Sequence, residues 1–138
     1  MMLYEMAGHL IRRLHQLSTQ VFQHHLHEAG YDITQVQFAT MQALASHPGI
    51  EQAQVANLIA YDKATIGGVI DRLEQKGYIL RVISRRDRRA REVSLSPEGH
   101  RIYELVSPIV TSLQTEILGK LSPDEQEQLI TLLKKAVI

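Results

Sequence analysis

Arginine is the residue type whose number and spacing point most directly to chemistry in this sequence. Residues 81–91 contain six arginines against a single acid, Asp87. Residues 78–83 and 92–95 have the pattern of two strands, so the arginines are predicted to lie at the tip of a hairpin. Guanidinium groups bind phosphate through paired N–H donors, which matches this cluster to a nucleic acid backbone. A solvated charged loop is the alternative, and Asp87 is expected to pair with one or two arginines and keep the hairpin in shape.

A helix precedes the hairpin and presents a smooth face beside it. Asp62 stands where the N-cap of this helix belongs. The outer face contains two adjacent glycines, Gly67 and Gly68, and each costs about 1 kcal/mol in a helix relative to alanine. A helix that lies in the major groove of DNA would benefit from such smoothness, whereas close packing on another helix is the alternative explanation. Its buried face is predicted by four apolar residues at helical spacing: Ile66, Val69, Ile70 and Leu73.

The neighbouring elements predict a helix-turn-helix. Gly77 is placed to end the helix in a left-handed turn. Thr34 and Gln37 form a capping-box pattern that opens an earlier helix. A short helix over residues 52–59 comes directly before the helix that starts at Asp62, and the two are predicted to form a helix-turn-helix unit. With the hairpin as a wing, the predicted fold class is mainly α with a small β-hairpin, a winged helix-turn-helix.

The two ends of the chain are predicted to form a dimer. Residues 3–28 have the pattern of one long amphipathic helix, whose apolar stripe is broader than a small domain can cover by itself. Ser96-Pro97 and Ser122-Pro123 each open a further helix, and Ser122 with Glu125 forms a second capping-box pattern. The last helix is again too apolar for a chain end in water. A second subunit would cover both ends. A single domain over residues 1–138 is therefore expected, with dimerisation helices in 1–30 and 97–138 and a winged helix-turn-helix lobe in 34–95.

Polar residues interrupt the apolar stripe of the first helix. Arg13, His15 and Ser18 lie in it or at its edge, and buried polar groups need partners from the protein or from a bound small molecule. We interpret them as the lining of an effector site, in which Arg13 pairs with a carboxylate and His15 and Ser18 complete the polar contacts. Hydrogen bonding across a dimer interface is the alternative, because buried histidines and arginines are commonly paired within the protein.

The histidines favour an alternative interpretation, in which the protein responds to a metal ion. His24, His25 and His27, together with His15, would supply imidazole ligands to a zinc-type ion. Helical spacing places His24 and His27 on one side and His25 on another, so they cannot converge from one segment. Ligands from a second subunit would be required. No metal site and no cofactor are therefore assigned.

Composition and charge exclude several classes of protein. The formal net charge is zero, yet residues 61–101 hold ten Lys or Arg against six Asp or Glu. A neutral chain with a local basic patch suits a sequence-selective DNA binder better than a general polyanion binder. Cysteine is absent, and neither a Gly-x-Ser-x-Gly elbow nor a phosphate loop occurs, so an enzyme is not expected. No apolar run approaches the ~20 residues of a membrane span, and a cytoplasmic protein is expected.

One stretch and the order of the elements resemble a known family. DRLEQKGYI followed by RRDRRAREVSLSPEG is the specific portion. The predicted elements follow the order long helix, helix-turn-helix, hairpin and two terminal helices. With this order and this stretch, the chain resembles the MarR family of bacterial transcription regulators over essentially its whole length. The resemblance implies a homodimer that binds a near-palindromic double-stranded DNA operator, usually as a repressor. It also implies release by a small, frequently aromatic, acidic ligand.

The resemblance further implies roles for individual residues. It places five residues on the helix that enters the major groove: Lys63, Thr65, Gly67, Gly68 and Arg72. It places Arg85, Arg86 and Arg88 on a wing that enters the minor groove, and it implies a structural ion pair between Asp87 and Arg89. Many members have a hydroxyl and a larger polar residue where the two glycines stand here. We therefore expect few direct base contacts from that face, so that Lys63, Thr65 and DNA shape contribute more to recognition.

The mechanism expected from this arrangement is a two-state dimer. Its two reading heads, the winged helix-turn-helix lobes of the two subunits, must lie one helical turn apart, about 34 Å, to occupy successive major grooves. A ligand wedged between the long first helix and a reading head would stabilise a different spacing. Such a ligand acts only through the difference between its affinities for the two spacings.

Overall fold

Six helices and a small sheet make up the fold. The computed structural model describes all 138 residues. In chain order the elements are α1 (Ala7–Glu28), α2 (Gln35–Ser46), β1 (Ile50–Glu51), α3 (Gln52–Leu58), α4 (Ile66–Gln75), β2 (Ile79–Ile83), β3 (Arg91–Leu95), α5 (Pro97–Ile117) and α6 (Pro123–Val137). The predicted fold class, mainly α with a β-hairpin wing, is confirmed. None of the helices combines the length and the apolar character that crossing a membrane requires.

The hydrophobic core joins the middle of the chain to one end of α1 and α5. Met41 and Leu44 of α2 are fully buried, as are Ile70 and Leu73 of α4. Phe22 of α1 packs on Phe38 of α2, with their ring centroids 6.4 Å apart. The buried residues of α1 are confined to its last two turns. The core therefore holds the helix-turn-helix together and leaves the first half of α1 outside it.

Local hydrogen bonds start the helices where the sequence places their caps. The Thr34 hydroxyl accepts from the Gln37 amide at 3.2 Å, and the Gln37 side chain accepts from the Thr34 amide at 3.2 Å. The Ser122 amide donates to the Glu125 carboxylate at 2.8 Å. This bond, followed by that from the Ser122 hydroxyl, lowers the pKa of Glu125. Both predicted capping boxes are confirmed, and α2 and α6 begin directly after them.

The sheet contains one strand more than the hairpin. Its order is β1-β3-β2, and both pairings are antiparallel. Ile79 lies opposite Leu95 in the hairpin, while Ile50 of β1 lies opposite Val93. Two residues are too few to show an alternating pattern, which is why β1 was not predicted. It anchors the segment between α2 and α3 to the wing.

Both ends of the chain expose apolar side chains. The predicted helix over residues 3–28 is interrupted, because Leu3–Glu5 form a separate 3-10 turn and Met6 has an extended backbone. Ile11 of α1 is 60% exposed, and Leu132 of α6 is 62% exposed. Not one residue of α6 is buried. The chain by itself therefore leaves both regions uncovered.

Candidate functional site

The first turn of α4 differs from the sequence prediction. Asp62 does not cap the helix, because α4 begins at Ile66 and Asp62 lies in the turn that precedes it. The Asp62 carboxylate accepts from the Ala64 amide at 3.1 Å, and its carbonyl accepts from the amides of Thr65 and Ile66, each at 3.1 Å. Lys63 and Thr65 are exposed in this turn at the amino end of α4. The hydrogen bonds made by Asp62 shape the turn rather than start the helix.

The two adjacent glycines of α4 have different surroundings. A side chain at Gly67 would meet only the end of the Gln52 side chain of α3, at an ordinary contact distance of 3.4 Å. A side chain at Gly68 would meet nothing within 4 Å. Gly68 and Arg72 are exposed, opposite the buried side of the helix. Gly67 therefore lies beside α3, and Gly68 lies on an open face.

Ser84 shapes the loop of the wing, and sequence reasoning did not identify it. Its side chain is 2% exposed, and its hydroxyl accepts from the amides of Arg86 at 3.2 Å and Asp87 at 3.3 Å. Its amide donates to the Ala90 carbonyl at 3.1 Å. A small polar residue directly before an arginine run is the signal that would have found it. These hydrogen bonds of Ser84 therefore fix the backbone of the arginine loop.

The arginines of the wing fall into two groups. Arg85, Arg86 and Arg88 are exposed at the loop, and none of them has a carboxylate partner. Arg89 lies 3.5 Å from the Asp87 carboxylate, which also accepts from the Arg89 amide at 3.0 Å. Arg91 is also exposed and has no carboxylate partner, but its Nη1 atom donates to the carbonyl oxygens of Arg88 at 3.4 Å and Ala90 at 3.5 Å. Three cations of the loop are therefore left without an internal partner. Free guanidinium groups at a loop tip are suited to phosphate.

A groove between α1, α5 and α6 contains two of the three predicted effector residues. It has a volume of about 830 Å³ and is bounded by His15 and Ser18 on one side and by Ile117 and Ile130 on the other. Arg13 lies outside this groove, and its guanidinium carbon is 5.4 Å from the centre of the Tyr4 ring. Within one chain, the structure does not bring Arg13 together with His15 and Ser18 in this groove.

Ser18 is hydrogen-bonded to the start of α2. The Gln35 side-chain amide donates to the Ser18 hydroxyl at 2.9 Å, and the Thr19 hydroxyl donates to the Gln35 oxygen at 2.8 Å. Gln35 is the first residue of α2, so these bonds join α1 to the start of the helix-turn-helix. The polar interruption of the α1 stripe thus has an internal partner that was not predicted.

The histidines do not form a metal site. His24 and His25 have ring centroids 5.5 Å apart, and His25 is paired with Glu116 of α5. No group of three or more His, Asp or Glu side chains in the chain is arranged to hold a metal ion. Convergence of His24, His25 and His27 with His15 is not seen within one subunit.

Comparison with known proteins agrees with this architecture. The MarR family model matches residues 33–90. The chain is 38% identical to transcriptional regulator HosA of Escherichia coli O157:H7, over 98% of this chain and 97% of that protein. It is 29% identical to the transcriptional repressor NicR of Pseudomonas putida, over 96% and 83% of the two chains.

A solved structure extends the likeness to three dimensions. BpsR of Bordetella bronchiseptica, whose DNA binding is regulated by 6-hydroxynicotinic acid, superposes with a TM-score of 0.90 at 29% identity, covering 99% of this chain and 96% of that chain. The relatives are transcriptional regulators, which confirms the prediction that the chain is not an enzyme. The chain therefore belongs to the MarR family of transcriptional regulators.

Proposed function

We propose that the protein is a homodimeric repressor that binds a palindromic operator through α4 and the wing. The observation that carries this proposal is an open helix face at Gly68, followed in the chain by a hairpin with three exposed arginines that have no carboxylate partner. In the proposed complex, α4 of each subunit lies in a major groove, and Lys63, Thr65 and Arg72 supply its polar contacts. The wing arginines contact the backbone of the neighbouring minor groove.

The dimer is proposed to form through the chain ends. Apolar residues are exposed along the first half of α1 and along α6, among them Leu10, Ile11, Ile130 and Leu132. Apolar surface removed from water contributes about 25 cal/mol per Å², so these residues would contribute strongly once covered. Residues 1–30 and 97–138 are therefore proposed as the dimerisation part, and 34–95 as the DNA-binding lobe. Two-fold symmetry of such a dimer would match the symmetry of a palindromic operator.

A small aromatic acid is proposed as the effector that releases the operator. Two observations support this class of ligand: BpsR responds to an aromatic carboxylic acid, and His15 and Ser18 provide polar groups in a mostly apolar groove. Arg13 would pair with the carboxylate if the partner subunit brings it to the groove. Bound ligand would stabilise a spacing of the heads that no longer matches the ~34 Å between successive major grooves.

The test is binding to the DNA upstream of the protein's own gene and of its neighbours. Labelled fragments are titrated with protein against an excess of random duplex, and the bound fragment is footprinted. We expect one protected inverted repeat, a dimer by light scattering, and release when hydroxylated aromatic carboxylates are added. Equal affinity for every fragment and for random duplex would refute operator recognition, and a monomer at micromolar concentration would refute the dimer. A chelator added in parallel should leave release by the acid unchanged.

A further inference from the structure

Arg81 lies where the wing meets α4. It occupies the middle of β2, opposite Val93 of β3, and its guanidinium reaches back to the helix. Its Nη2 atom donates to the Asp71 carboxylate and lies 3.6 Å from Oε1 of Glu74. The side chain is only 18% exposed. Arg81 is thus distinct from the solvent-facing arginines at the tip of the wing.

Burial makes this contact dependent on its carboxylate partners. The Nε atom of Arg81 is buried and has no hydrogen-bond partner, so the lost hydration of the guanidinium is compensated at Nη2 by Asp71 and Glu74. These two acids lie about one turn apart on α4, and both face the same nitrogen, Nη2 of Arg81. No other ion pair connects α4 with either strand of the hairpin. Arg81 therefore adds the one ionic contact between helix and wing to the apolar packing and the short turn at Gly77 that also join them.

Given the proposed binding of DNA, we infer that Arg81 is a positioning residue that fixes the wing against α4 so that both elements reach the duplex together. The open face at Gly68 has no side chain with which to correct a misplaced helix, so the placement of the wing matters more. Arg81 also balances the charge of Asp71 and Glu74, two acids on a helix that is proposed to lie against phosphate. Specificity for the operator thus depends on a residue that does not itself contact DNA.

Two other roles for Arg81 predict different measurements. A direct phosphate contact would change the salt dependence of binding, because each contact contributes about 0.9 to the slope of log K against log salt concentration. An ion pair that only stabilises the fold would lower the melting temperature and leave the affinity of the folded dimer unchanged. A positioning role lowers operator affinity only while Asp71 and Glu74 are present to hold Arg81, whereas loss of a direct phosphate contact would lower affinity whether or not these acids are present.

The experiment uses the full-length dimer and the operator found with the parent protein. Operator affinity is measured by fluorescence anisotropy at four KCl concentrations for Arg81→Ala, Arg81→Lys and the wing-tip control Arg86→Ala, and thermal melts show that each variant is folded. We expect Arg81→Ala to lose about tenfold in affinity, and Asp71→Asn combined with Glu74→Gln to lose affinity by a similar factor. Arg81→Lys should recover part of the loss, because it keeps one charged donor for the acids. Asp71→Asn added to Arg81→Ala should weaken binding no further, because the contact is already broken.

The outcomes separate this inference from the proposed function. Parent-like affinity of a folded Arg81→Ala dimer would overturn the positioning role, as would parent-like or higher affinity when Asp71→Asn and Glu74→Gln are combined. If Arg81→Ala does not fold, Arg81→Gln combined with Asp71→Asn and Glu74→Gln replaces it, because the unpaired carboxylates are then also removed, and parent-like operator affinity of this variant would overturn the positioning role. Failure of the parent protein to prefer any operator would instead overturn the proposed function.

Discussion

Neutralising the wing tip tests the proposed DNA interface most directly. Arg85, Arg86 and Arg88 are exposed and have no acidic partner, so each is free to contact one phosphate. In a dimer, Arg86→Ala removes two such contacts, and the slope of log K against log salt concentration should become shallower by about 1.8. Between ~50 and ~200 mM salt, the parent protein should therefore lose about 12-fold more affinity than the variant. Replacing all three arginines removes six contacts, and the same difference grows to about 1,800-fold.

The assay is anisotropy of a labelled operator duplex, titrated at four KCl concentrations with the parent and each variant. Lys120→Ala is the matched control, because this exposed cation lies in the turn between α5 and α6, outside the proposed interface. Its slope should equal that of the parent. Random duplex should show the same loss of slope for Arg86→Ala, since phosphate contacts carry no sequence information. Slopes for Arg86→Ala and Arg88→Ala that match the parent would refute the wing as a phosphate-binding element.

Three further substitutions test other parts of the molecule. Gly68→Trp should abolish operator binding while the dimer keeps its melting temperature, because a side chain there meets no protein atom within 4 Å; retained binding would show that this face does not touch DNA. Gly99→Ala should destabilise the fold by about 3 kcal/mol or more in chemical denaturation, since its new carbon would lie 2.0 Å from the Tyr78 carbonyl oxygen. Gly68→Ala is its control and should be stabilising by up to about 1 kcal/mol through helix propensity. His15→Ala should keep operator affinity but need about tenfold more aromatic acid for release, the factor that corresponds to about 1.4 kcal/mol of lost contact, and an unchanged dose response would exclude His15 from the effector site.

Structural features that depend on residues a few positions apart could be predicted from the sequence. The capping boxes at Thr34 and Ser122 were predicted from side chains three positions apart, and both are present. Gly77 was predicted to end the recognition helix, and its backbone has the left-handed φ of 82° that favours glycine. The alternation of residues 92–95 placed Val93 and Leu95 on the buried side of the sheet, where the structure has them. Such features depend on local backbone geometry, which nearby residues determine.

The arginine cluster was also visible in the sequence, but its internal division was not. Six arginines within residues 81–91 have the same chemistry. Folding directs Arg81 back to α4, places Arg89 beside Asp87 and Arg91 against backbone carbonyls of the loop, and leaves Arg85, Arg86 and Arg88 free. The choice depends on which carboxylates the fold brings within reach, and Asp71 is ten residues away from Arg81 along the chain.

Several features were decided only by the tertiary structure. The pairing of Ile50 with Val93 and the bonds from Gln35 to Ser18 and Thr19 join residues far apart in the chain. The start of α4 at Ile66 rather than directly after Asp62 likewise differs from what the local cap signal indicated. A single sequence contains patterns of burial and capping but not the partner of each polar group. Those partners depend on packing between distant segments, and the same packing leaves Gly68 and three wing arginines exposed to solvent.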